Sequence, residues 1–129
     1  MSWQGVGTPK SLSYVVADVA GDDIQFFEFN GSEGHVKVHY RIFTKQLAGP
    51  KVRVRVQFDE LQVMDDMEIG TGDWRIRTSV NNLNCVNSPE EHWSVGSGSS
   101  ADLSAFRVFT TVNVGSTLVI RCRVWEEDS

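Results

Sequence analysis

Hydropathy along this chain alternates with a period of two residues. Val52, Val54, Val56 and Phe58 alternate with Arg53, Arg55 and Gln57. Val36, Val38, Tyr40 and Ile42 alternate with Lys37, His39 and Arg41. Trp74, Ile76, Thr78 and Val80 alternate with Arg75, Arg77 and Ser79, and Leu118, Ile120, Cys122 and Val124 with Val119, Arg121 and Arg123. Successive side chains of a strand point to opposite faces, so each run predicts a strand buried on one side. Phe106 to Val114 is a further β-branched and aromatic strand. Tyr14 to Val19 and Ile24 to Phe29 predict two more, joined by Gly21-Asp22-Asp23, and Leu61 to Met64 a short one. Helical periodicity is missing; the best helical signal is a single capped turn at Ser88-Pro89-Glu90-Glu91. Turn signals recur at Asn30-Gly31, Gly49-Pro50, Gly70, Gly72, Asn81-Asn82 and Gly115. About eight short strands so punctuated predict an all-β, antiparallel two-sheet β-sandwich, C2-like or jelly-roll-like, with a barrel as the alternative. With no repeat or linker, residues 1–129 read as a single domain. Gly96-Ser97-Gly98-Ser99-Ser100 reads as a flexible loop tip.

Composition excludes several classes. Hydrophobic residues make up 40% and charged residues 22%, which argues against wholesale disorder. No apolar run is long enough for a membrane helix. Met1 to Gly7 carries neither the basic nor the apolar part of a secretory signal, so a cytoplasmic location is the default expectation. A net charge of -5 argues against a general nucleic-acid binder. Cys85 and Cys122 match no zinc spacing, and Cys122 shares the parity of Leu118, Ile120 and Val124, as a buried apolar residue would. His35 and His39 share one strand face but lie ~13 Å apart, too far to hold one metal together. No hydrolase, phosphate-loop or zinc-protease motif occurs, and a non-enzymatic role is expected.

The segment from Phe58 to Trp74 carries the most chemistry. Asp65, Asp66, Glu68 and Asp73 crowd four carboxylates into nine residues, with Gly70 and Gly72 between the last two. Calcium, a hard cation taking six to eight oxygens, relieves such repulsion. The EF-hand is excluded, because the twelfth position from Asp66 is Arg77 and no helices flank the loop. A second acidic run, Glu126, Glu127 and Asp128, follows Trp125 at the end of the last strand. In a sandwich, connecting segments gather at the two ends, so both clusters, joined by the Asp22-Asp23 turn, are candidates for one cation site.

An Asp-Asp loop with Gly70-Thr71-Gly72-Asp73-Trp74, and a late strand ending in Trp125-Glu126-Glu127-Asp128, resemble calcium-binding β-sandwich modules of the C2-like type. The resemblance covers Val52 to Val80 and Thr117 to Asp128. It implies two four-stranded sheets with calcium held between acidic loops at one end. By position it matches Asp65, Asp66 and Asp73 to the first loop and Glu126 to Asp128 to the start of a later one. Such a later loop normally supplies another Asp and a returning strand, a departure at Ser129.

Lys37, Arg41, Arg53, Arg55, Arg75, Arg77, Arg121 and Arg123 all fall on the polar parity of strands, so one sheet is expected to carry a basic outer face. It reads as a solvated face, or as a dock for phospholipid or an acidic partner. Trp74 is expected in the core. Trp93 lies in a loop and Trp125 on the outward parity, so both are candidates for stacking on a ligand. Phe26, Phe27 and Phe29 have mixed parity, which predicts cover on both faces of their strand, as in a homo-oligomer. The expected function is a calcium-binding module for adhesion, assembly or docking to an anionic surface, with a protein, lipid headgroup or glycan as partner. A carbohydrate-binding, lectin-like sandwich and a structural coat or assembly subunit are the alternatives.

Overall fold

A computed structural model describes residues 10–16, 21–31, 34–65, 71–81, 83–87, 93–104 and 106–126, of which 10, 11, 31, 71–73, 83–87 and 126 are described by backbone alone. Ten strands occur among them. They are β1 (Lys10–Val15), β2 (Gly21–Gly31), β3 (Gly34–Gln46), β4 (Lys51–Asp65), β5 (Thr71–Val80), β6 (Leu83–Asn87), β7 (Trp93–Gly96), β8 (Ser100–Asp102), β9 (Arg107–Asn113) and β10 (Thr117–Glu126). All pairing is antiparallel. One sheet has the order β1-β10-β5, with β6 and β7 sharing the far side of β5. The other has the order β2-β3-β4, with β8 and β9 sharing the far side of β4. These are called the β5 sheet and the β4 sheet below. Two separate sheets rather than one closed sheet make the fold an all-β sandwich.

The alternation read from the sequence sets which side chains face inward. Val36, Val38, Tyr40, Ile42, Val52, Val54, Val56 and Phe58 from the β4 sheet are buried. So are Trp74, Ile76, Leu118, Ile120, Cys122 and Val124 from the β5 sheet, and both sets belong to one core. Burying each Val, Leu, Ile or Phe side chain among these contributes about 1.5–3 kcal/mol. Aromatic rings tie β2, β3 and β4 together: Tyr40 stacks on Phe27 at 4.9 Å and lies 5.7 Å from Phe58. Cys122 is a free, buried thiol, and burial pushes its pKa well above the ordinary range.

Several boundaries differ from expectation for identifiable reasons. Leu61 to Met64 is not a separate strand but the end of the 15-residue β4. Phe58 and Leu61 are three residues apart, which breaks a period of two. A β-bulge absorbs the extra residue: Tyr40 pairs with Phe58 and His39 with Glu60, leaving Asp59 unmatched. Both Phe58 and Leu61 therefore face the core. The first strand among the described residues is Lys10–Val15, which begins before Tyr14 and stops short of Val16, while residues 17–19 of the expected strand lie outside the described residues; Asp22 and Asp23 lie inside β2 rather than in a turn. The short strands β6, β7 and β8 had no alternating apolar signal. Gly96 to Ser100 is not a loose tip. Gly98, at a φ of 82° that favours glycine, donates to the Val63 carbonyl at 2.8 Å, and Val63 donates to the Ser99 carbonyl at 2.9 Å. The turn expected at Ser88 to Glu91 lies outside the described residues.

Candidate functional site

Strand ends define two poles. Asp65 ends β4, Thr71 begins β5, and β10 ends with Glu126 paired opposite Trp74. The backbone thus brings Asp73, next to Trp74, and Glu126 to one pole, together with the end of β4. Asp66, Glu68, Glu127 and Asp128 lie outside the described residues, and Asp73 and Glu126 are described by backbone alone. Asp65 is exposed. Among the described residues no three metal-binding side chains converge. Asp22 and Asp23 do not join this pole: they pair with Phe43 and Ile42 near the opposite end of β3.

The tryptophans expected to stack on a ligand are less available than their positions suggest. Trp125 is only 4% exposed despite its outward parity. Trp93 is half-buried and packs edge-on against Phe106, with ring centroids 5.9 Å apart. Trp74 is wholly buried, as expected. Phe27 and Phe29 face the core, while Phe26 is 50% exposed and Ile24, on the same face, 74%.

The eight cations of the strand parity divide between the sheets. Lys37, Arg41, Arg53 and Arg55 lie on β3 and β4, and Arg75, Arg77, Arg121 and Arg123 on β5 and β10. Each sheet, not one, carries a basic outer parity. The two are not equivalent. Arg75, Arg77 and Arg123 already have partners. On the β4 sheet, Arg41 is neutralised by a two-pronged contact with Asp59, Nε–Oδ2 2.8 Å and Nη2–Oδ1 2.9 Å, and this bond raises the guanidinium pKa. Asp59, the residue left unmatched by the bulge, is the acceptor. His39 Nε2 is 2.9 Å from Gln62 Oε1, and His35 contacts Glu28, so the two histidines have separate partners.

Beyond Arg41, toward the opposite pole, the cations form no ion pair among the described residues. Lys45 lies directly across from Arg53, both exposed and outward-facing. Like charges placed opposite each other destabilise a strand pair. One row further in, Arg55 is flanked by Phe43 on β3 and Phe109 on β9. Its guanidinium rests 4.0 Å from the Phe43 ring centroid, while its Nε is buried without a hydrogen-bond partner among the described residues. Arg107 sits 5.9 Å from the Phe109 ring, which is 57% exposed. Among the described residues, no carboxylate lies within ion-pair distance of Lys45, Lys51, Arg53, Arg55 or Arg107. Asp22, opposite Phe43 on β2, is the acid on the flank. Phe43, Lys45, Arg53, Arg55 and Phe109 line an open groove of about 190 Å³. Sequence reasoning named Arg53 and Arg55 but missed Lys45, Phe43 and Phe109. Their signal was available: Phe43 and Phe109 are aromatic residues on the outward parity of β-rich runs.

No family model matches the chain, and neither the curated proteins nor the solved structures offer a significant match.

Proposed function

We propose that this chain is a non-enzymatic β-sandwich binding module that docks an anionic partner on the outer face of the β4 sheet. The observation that carries this reading is the opposed pair Lys45 and Arg53 beside Arg55, three cations with no carboxylate partner among the described residues. An anion seated across Lys45 and Arg53 turns their mutual repulsion into attraction to a shared ligand. It also supplies an acceptor near the unpartnered Arg55 Nε. Phe43 and Phe109 provide low-dielectric walls that strengthen those contacts. On a heparin column at low salt, the protein is expected to be retained despite its net charge of -5. Lys45→Glu with Arg53→Glu, both on exposed sites, should elute in the flow-through. Equal retention of the variant and the parent would remove this face as the dock.

Calcium binding at the acidic pole is a second reading, supported by the pairing of Glu126 with Trp74. Asp65, Asp73 and Glu126, with Asp66, Glu68, Glu127 and Asp128 following in sequence, would supply the oxygens. A ligand that binds only the native state raises its melting temperature. Millimolar calcium at ~100 times its Kd should therefore add about 2.7 kcal/mol of stability, reversed by chelator. Asp66→Asn with Asp73→Asn should erase the shift, and an unchanged Tm in the parent protein would dismiss the metal.

A further inference from the structure

The groove of the β4 sheet belongs to a longer cationic strip. Lys51 is exposed two residues before Arg53, on the same face, and Lys45 lies across from Arg53. Arg55 follows in the next row, and Arg107 lies across from Gln57 in the row after that. Same-face neighbours on a strand are about 6.7 Å apart, so these four rows span about 20 Å. None of these cations takes part in an ion pair among the described residues. A small anion would meet two or three of them. A strip of this length matches a chain of regularly spaced negative charges.

The aromatic rings narrow the choice of chain. Phe43 and Phe109 flank Arg55 in one row across three strands. Phe43 is already engaged, with Arg55 4.0 Å and Arg41 5.0 Å from its centroid. Phe109 is 57% exposed, and its contact with Arg107, at 5.9 Å, lies at the outer limit of a cation–π interaction. An exposed ring set among cations is a platform for a nucleobase whose phosphates lie alongside. A sulfated glycan would satisfy the cations but offers no π-face to the ring. A duplex keeps its base faces stacked inside and has none to give.

We infer that the anionic partner of the groove is a single-stranded nucleic acid, with Lys45, Lys51, Arg53 and Arg55 on its phosphates and a base stacked on Phe109. This rests on the docking reading above and names the class of its partner. Lysine and arginine contacts to phosphate carry no sequence information, so binding is sequence-tolerant. The net charge of -5 works against capture at long range, so contact within the strip carries the affinity.

Fluorescence anisotropy of the full chain with a labelled oligothymidine of about twelve nucleotides tests this. Binding should saturate at low salt, and log K against log salt should fall with a slope of about -2 to -3, for three or four phosphates. Lys45→Ala with Arg53→Ala should flatten that slope by about 1.4. Phe109→Ala, at an exposed site, should weaken binding about tenfold and leave the slope unchanged. An abasic strand of equal length should bind the parent about tenfold more weakly and be indifferent to Phe109→Ala. Equal binding of the abasic and oligothymidine strands, or oligothymidine binding that ignores either variant, overturns the inference. If the oligonucleotide is not bound while heparin still holds the protein through Lys45 and Arg53, docking stands and only the partner is wrong. If heparin also fails, both fall.

Discussion

Trp74→Ala is expected to cost about 3–5 kcal/mol, a large part of the ~5–15 kcal/mol that holds a domain of this kind together. Trp74 is among the largest fully buried side chains in the core. It sits where β5 meets three other chain segments: β10 on one side through Glu126, β7 on the other through Trp93, and the opposing sheet across the core. Truncation leaves a cavity that several strands would have to move together to close. The indole Nε1 is buried without a hydrogen-bond partner among the described residues, so part of the burial gain is already offset. Trp74→Phe removes that unsatisfied donor while keeping a ring in place, and should cost clearly less than alanine. Urea unfolding monitored by circular dichroism measures both. An alanine variant within about 1 kcal/mol of the parent would mean that Trp74 does not anchor the core.

Val54→Asp is expected to abolish the folded state at neutral pH. Val54 is fully buried at the middle of the β4 sheet, opposite Thr44 on β3 and Thr110 on β9. The substitution forfeits about 1.5–3 kcal/mol of apolar burial and adds the larger cost of an unpaired carboxylate. That cost falls on the charged form, so the folded-state pKa of the new group lies above its unfolded value. Its contribution is therefore least unfavourable below the unfolded pKa and worsens as pH rises through the folded one. Val54→Thr, near in shape but carrying only a hydroxyl, should retain the fold at reduced stability. Sharp, dispersed amide resonances from the Asp variant at pH 7 would contradict the assignment of Val54 to the core.

Period two was enough to identify the sandwich and most of its core, because one buried face imposes alternation on every long strand. It was not enough where geometry departs from that period. The spacing from Phe58 to Leu61 split one strand into two, since a bulge is invisible to a parity count. Strands β6, β7 and β8 are held by their register on β4 and β5, a long-range fact that no local window carries. Trp125 obeyed the parity yet is buried, because parity fixes direction and not cover. The acidic runs were legible as composition; the register brings the backbone of Asp73 and Glu126 together, while Asp66, Glu68, Glu127 and Asp128 lie outside the described residues. The basic groove was only half legible. Arg53 and Arg55 were visible on the polar parity, but their position beside Lys45, Phe43 and Phe109 depends on which strands are neighbours.

The topology also sets an order of assembly. β3 and β4 are joined by the short turn around Gly49, where Leu47 donates to the Lys51 carbonyl at 3.0 Å, so their long hairpin closes at little entropic cost. The pair β1 and β10, by contrast, matches Lys10 with Cys122, residues far apart in sequence. Contacts between such distant partners form slowly, which puts refolding on a millisecond-to-second scale. On the ribosome, β10 is the last of these ten strands to emerge. Until it does, β1 and β5 lack the strand that lies between them, and the core lacks Leu118, Ile120, Cys122 and Val124.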